Sequence, residues 1–113
     1  MTGGSSLWPW LLQRISGLFL SAGVIVHFCM LHNGTGPPVY DQVAARLSSP
    51  CWMTFYIALL ATLLYHGLNG AWAVFLDFNT SSSTKMIFKV TLYIIGCYAF
   101  VTGLDVLVCF APY

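Results

Sequence analysis

CWMTFYIALLATLLYHGLNGAWAVFLDF, residues 51–78, carries no charged side chain before Asp77. An apolar run longer than about 18 residues has the length of a helix that crosses the ~30 Å hydrocarbon layer. Near its middle stands an imidazole, His66, in the string Tyr65-His66-Gly67-Leu68-Asn69-Gly70. A titratable group inside a membrane span is costly and marks a functional site by default. Gly70 lies four residues after His66 and Asp77 eleven after it, so helical spacing sets the three along one stripe. A glycine one turn from the imidazole leaves space for a large flat ligand against the backbone. Haem is the ligand that fits, because its iron is held by imidazole. Two plainer readings stand beside this one: His66 as an interhelix hydrogen bonder, and Asp77 as a solvated acid at a helix end.

Two further stretches have the same character. One runs from about residue 7 to 31, with Pro9 in a position that suits a first helical turn. The other runs from about 86 to 110, after the polar string Asn79-Thr80-Ser81-Ser82-Ser83-Thr84, and stops at Pro112. The central span, about 51–78, is announced by Ser48-Ser49-Pro50. Three spans of ~20 residues nearly exhaust 113 residues. Hydrophobic residues make up 58% and charged residues 6%, against about 25% charged in a soluble domain. The expected fold is an all-α membrane protein, one unit over residues 1–113. A chain this short cannot close a barrel, so its spans are helices. No soluble catalytic domain fits, and no residue is assigned a catalytic role. The N-terminus lacks the basic region and cleavage site of a signal peptide, so the first helix is expected to be retained.

Basic residues set the expected orientation. Arg14, Lys85 and Lys89 fall on one side and Arg46 on the other, which predicts an inside N-terminus and an outside C-terminus. Residues 40–47 suit a short interfacial helix. Trp8, Trp10, Tyr40, Trp52, Phe110 and Tyr113 fall where aromatic belts form. His32 is expected at the interface, and Asp105 near the outer end of the third helix. Cys29, Cys51, Cys97 and Cys109 show no CxxC pairing and are expected to be small buried hydrophobes. Asn33-Gly34-Thr35 is a formal glycosylation sequon without a secretory context.

The first helix has its own constellation. Gln13-Arg14-Ile15-Ser16-Gly17 is followed, after nine residues, by His27. Ser16, Leu20, Gly23 and His27 share a helical face, again with a glycine one turn from a histidine. Arg14 is either a snorkelling interfacial residue or part of a binding site. His27 lies about 20 Å from Arg14 and His66 about 16 Å from Asp77 at helical rise. If Arg14 and Asp77 mark one boundary, the two histidines differ little in depth. One shared haem and two separate haems both remain open on that count.

These strings resemble the cytochrome b membrane-anchor subunits of succinate dehydrogenase and fumarate reductase, respiratory complex II. Gln13-Arg14-Ile15-Ser16-Gly17 is similar to that family's His/Gln-Arg-x-Ser/Thr-Gly signature on helix one. Tyr65-His66-x3-Gly70-x6-Asp77 is similar to its Tyr-His-x3-Gly-x6-Asp signature on helix two. The resemblance spans essentially the whole chain, although the third helix matches only in character.

The resemblance implies a three-helix anchor that forms half of a heterodimeric haem-binding bundle. It implies electron transport from succinate, a tricarboxylic acid cycle intermediate, to a quinone of the respiratory chain. His66 then holds haem b iron, with Gly70 beside it. His27 with Gly23 resembles the pattern of anchors that bind a second haem, so two haems are expected. Arg14, Ser16 and Asp77 are expected to border the quinone. Trp10 stands where some members carry a quinone-contacting serine, and Phe78 where the sister anchor carries a tyrosine. The implied partners are a second anchor, an iron–sulfur subunit and a flavoprotein subunit in the inner or cytoplasmic membrane, with no nucleic acid. Two other readings accompany this one: a haem-free structural anchor, and a cytochrome b subunit of a different quinone-linked dehydrogenase.

Overall fold

The computed structural model describes residues 7–34 and 36–111. The sequon's Thr35, the stop at Pro112 and the belt residue Tyr113 lie outside the described residues. Four helices follow in order: α1 (Leu7–Leu31), α2 (Tyr40–Leu47), α3 (Pro50–Leu76) and α4 (Ser82–Val108). α1, α3 and α4 are each long and apolar enough to cross a membrane. α2 is the short helix expected over residues 40–47.

The boundaries differ from the sequence expectation chiefly at the start of α4 and the end of α3, and α4 stops at Val108 rather than near 110. α4 begins at Ser82 rather than near 86, because Ser81 is its N-cap: its Oγ accepts the Thr84 N–H at 3.2 Å. The serine run is thus a helix start, with a side-chain oxygen satisfying an otherwise orphan donor. α3 ends at Leu76, with Asp77 as its exposed C-cap and Phe78 beyond it.

α3 is the centre of the arrangement, with α1 and α4 packed against it. In lipid the helices gain little from hydrophobic burial, so close approach through small residues matters most. α3 presents leucines and its neighbours present glycines. A Cβ at Gly23 would stand 2.6 Å from Leu59 Cδ1. One at Gly96 would stand 2.5 Å from Leu68 Cδ1, and one at Gly103 2.7 Å from Leu60 Cδ2. Aromatic stacking joins α3 to α4 near the α3–α4 turn, with Phe75 and Phe88 at 3.9 Å between ring centroids. At the opposite end Arg46 of α2 donates to the Met30 carbonyl at 3.3 Å, covering the C-terminal end of α1.

The interior of the single chain is thin. Among the described residues only Ser16, Leu20, Gly23 and Leu47 are buried. All four cysteines are exposed, which corrects the expectation that they are buried. Three helices with α3 between the other two leave most side chains on outward faces, and the cysteines fall there.

The glycine notches give a direct test. Gly103→Ile should lower the stability of the folded chain by about 1–3 kcal/mol, because Leu60 meets Gly103 through both methyls and Cγ. Gly67→Ala should be neutral or stabilising by up to about 1 kcal/mol, since nothing lies within 4 Å of a Cβ there. Thermal unfolding in detergent separates the two; equal losses would show that the notches do not hold the helices.

Candidate functional site

α1 and α3 run antiparallel, and near the start of α1 their contact is polar. Gln13, Ser16, His66 and Asn69 meet there in one hydrogen-bonded cluster. Ser16 Oγ donates to the Gln13 carbonyl at 2.9 Å. His66 Nδ1 lies 3.2 Å from that same carbonyl and 3.1 Å from Ser16 Oγ. Gln13 Nε2 donates to the His66 carbonyl at 3.2 Å, and Asn69 Nδ2 donates to Gln13 Oε1 at 2.8 Å. A carbonyl can only accept, so His66 Nδ1 carries the hydrogen. The neutral ring then has its lone pair on Nε2, which makes no hydrogen bond among the described residues. Metal-binding histidines commonly hold the non-ligating N–H against a backbone carbonyl in this way.

Small residues make the cluster possible. A Cβ at Gly17 would lie 3.1 Å from His66 Cε1. A Cβ at Gly70 would lie 3.4 Å from Gln13 Nε2. The space above Gly70, expected to receive a flat ligand, is thus occupied by the Gln13 carboxamide. Gly23 likewise faces Leu59 rather than an open space. Both glycines set the approach of α1 to α3.

His27 lies in a separate place. Its Nδ1 is 3.4 Å from Tyr56 Oη, and the two rings meet edge-to-face at 5.6 Å. Ser16 opposite His66, Gly23 opposite Leu59 and His27 opposite Tyr56 define the antiparallel register. His66 is therefore level with Ser16, about 16 Å from His27 at helical rise. Two imidazoles on one metal stand within ~4 Å of each other, with bonds of about 2 Å. The two histidines of one chain cannot share an iron. The assumption that Arg14 and Asp77 mark one boundary also falls. In this register Arg14 faces the level of Leu68, about nine residues or ~13 Å short of Asp77.

The three residues expected at a quinone site are not gathered together. Ser16 is buried against His66. Arg14 is exposed on another face of α1, its guanidinium 4.2 Å from the centroid of the Trp10 ring. Asp77 is exposed beyond the end of α3. His32 is exposed, donating to the Phe28 carbonyl at 2.9 Å, and Asp105 is exposed on α4. On the other side of α3 a groove of about 450 Å³ lies against α4, lined by Tyr65, Leu68, Asn69, Trp72, Tyr93 and Gly96 among others. Lys89 stands at this groove, 5.7 Å from the Trp72 ring centroid. Gln13 and Asn69 stand in the quoted motifs without an assigned role, and Tyr56 was not singled out from the sequence. The signal was there: carboxamides and hydroxyls inside apolar spans seek partners on neighbouring helices.

The sequence profile described as succinate dehydrogenase/fumarate reductase transmembrane subunit matches residues 3–104. The chain belongs to this family. This transmembrane subunit is similar to the succinate dehydrogenase hydrophobic membrane anchor subunit of Archaeoglobus fulgidus, 31% identical over 99 residues, covering 87% of this chain and 85% of the relative. It is similar to the protein of the same description from Thermoplasma acidophilum, 29% identical over 93 residues, covering 80% and 76%. A succinate dehydrogenase 2 membrane subunit of Mycobacterium tuberculosis is 30% identical over 97 residues, covering 83% and 68%. Family and fold together make this subunit a multi-pass membrane protein.

Proposed function

We propose that this subunit is a cytochrome b membrane anchor of a succinate:quinone oxidoreductase, in which His66 Nε2 would hold haem b iron. The carrying observation is the His66 ring, whose Nδ1 lies 3.2 Å from the Gln13 carbonyl while Nε2 makes no hydrogen bond among the described residues. The residues present fit the group: a neutral imidazole, fixed at its far nitrogen, inside an apolar layer. Haem, when bound, supplies one-electron redox chemistry within the membrane. A second anchor subunit would supply a further ligand to the haem and pack against the exposed helix faces. A flavoprotein and an iron–sulfur subunit dock at the Arg14 end, on the inner side of the cytoplasmic membrane.

Arg14 borders the quinone in this reading. It is a guanidinium near the membrane boundary, exposed and steadied by Trp10. Its hydrogen bonds recognise a quinone carbonyl and stabilise charge as the quinone is reduced. Ser16 is given to His66 instead, because its hydroxyl is buried and already donates to Gln13. Asp77 lies at the same end and is placed to receive or hand on protons near the surface.

A second haem, on His27, is part of this reading: Ser16-Gly17-x9-His27 resembles the pattern of anchors with two haems, and ~16 Å is too far for the two histidines to share one iron. His27 Nδ1 faces Tyr56 Oη and its Nε2 is the ligating atom. The test is to purify the tagged chain with its partners and record the reduced-minus-oxidised spectrum, haem content and subunit composition. Two b haems with flavin- and iron–sulfur-bearing partners are expected, and His27→Ala should reduce two haems to one. A haem-free complex would leave a structural anchor, and molybdenum- or nickel-bearing partners would move the chain to a different dehydrogenase. One haem in both the parent and His27→Ala would make His27 a packed hydrogen bonder of Tyr56.

A further inference from the structure

We propose that Gln13, held in place by Asn69, is the positioning residue that decides which nitrogen of His66 is free. The use of that nitrogen as a haem ligand rests on the function proposed above; the choice of nitrogen does not. Neutral histidine has two tautomers, and neighbouring groups select between them.

Gln13 holds His66 at both ends. Its backbone carbonyl faces the ring at Nδ1, 3.2 Å away, and its side-chain Nε2 donates to the His66 backbone carbonyl, also at 3.2 Å. The two contacts close a ring between α1 and α3 that fixes their register at this level. The His66 backbone carbonyl can only accept, so the NH2 of Gln13 must face it, and the Gln13 oxygen is then held by Asn69 Nδ2 at 2.8 Å. Ser16 adds a second acceptor: its proton is directed to the Gln13 carbonyl, so its oxygen meets Nδ1 with a lone pair. Two acceptors facing one ring nitrogen require that nitrogen to carry the hydrogen. Remove the Gln13 side chain, and the Ser16 hydroxyl and the Gly23–Leu59 contact still hold α1 near α3, but the His66 backbone carbonyl loses its donor and the clamp around the ring opens. Gly17 and Gly70 complete the arrangement, each leaving only enough space for the clamp to pass.

The test is nitrogen NMR of the full chain, made without haem, labelled with 15N-histidine and placed in phospholipid vesicles. His66→Gln assigns the His66 signals by their absence. The parent chain should show protonated Nδ1 and bare Nε2. Gln13→Leu should populate both tautomers to a similar extent, and Asn69→Leu should move the populations the same way by less. The double variant should add little to Gln13→Leu, because both residues act through one clamp. In the haem-loaded assembly the same substitution should shift the haem midpoint potential upward, since a looser Nδ1–H bond makes the imidazole a weaker donor. A merely structural role would lower thermal stability and leave both potential and tautomer unchanged, which overturns the proposal. If Gln13→Leu does not fold, Asn69→Leu decides by the same reading. A parent assembly without haem removes the ligand role but leaves the tautomer result standing. Haem with a tautomer indifferent to both variants removes this inference alone.

Discussion

His66→Ala is expected to abolish or strongly reduce one b-type haem signal in the assembled complex. Outer-shell changes around a metal-binding histidine cost about 10–100-fold in affinity. Loss of the ligating atom itself should cost at least as much, so this haem should fall below detection at ordinary loading. The substitution also removes the partner of Ser16 Oγ and of the Gln13 carbonyl, and empties the space against Gly17. Some destabilisation of the α1–α3 contact therefore accompanies it. Subunit composition must be measured on the same sample: intact partners with one haem fewer is the expected result. A spectrum and haem stoichiometry equal to the parent's would sink the ligand assignment and leave His66 as a hydrogen bonder between helices.

Arg14→Leu should cut succinate–quinone reductase activity by about 10–100-fold, the equivalent of one charged hydrogen bond worth ~1.5–3 kcal/mol. Succinate oxidation with a soluble electron acceptor should stay near the parent level, because that route ends before the membrane. The fold tolerates the change: Arg14 is exposed, and its ring contact with Trp10 lies off the α1–α3 interface. Haem content should also be retained, since the Gln13–His66 clamp does not involve the guanidinium. Equal loss of both activities would point to failed docking of the soluble subunits rather than a quinone contact. Lys85 and Lys89 are useful controls, being basic residues beyond α1 whose loss should leave the activity ratio unchanged.

The three spans were legible in the sequence because lipid leaves the backbone one choice: uncharged runs of this length must be helices. The α2 helix was legible from the residues between Pro38 and Ser48, and the stripe Ser16, Leu20, Gly23 from helical spacing; those three are buried in the structure. The two motif strings were enough to resemble a family, and the family is now shown over residues 3–104. The start of α4 was placed too late because a serine string has the composition of a loop, while Ser81 uses its hydroxyl as a cap.

What the sequence could not supply was the register between α1 and α3. Counting from Arg14 and Asp77 placed the two histidines at similar depths. That count required two residues on different helices to share a level, and periodicity along one helix says nothing about alignment with another. The packed structure sets the level through Leu59 against Gly23 and through the Gln13 amide against Asn69. It thereby separates His27 from His66 and sets Ser16 against the imidazole. The glycines changed meaning for the same reason. A missing Cβ is equally compatible with a ligand or a neighbouring helix, and only the neighbour's position shows that Gln13 lies over Gly70 and Leu59 over Gly23. The residue types and the helices they form were determined by the sequence alone; what the His66 ring touches was decided only when Gln13, fifty-three residues away, was brought within hydrogen-bond reach.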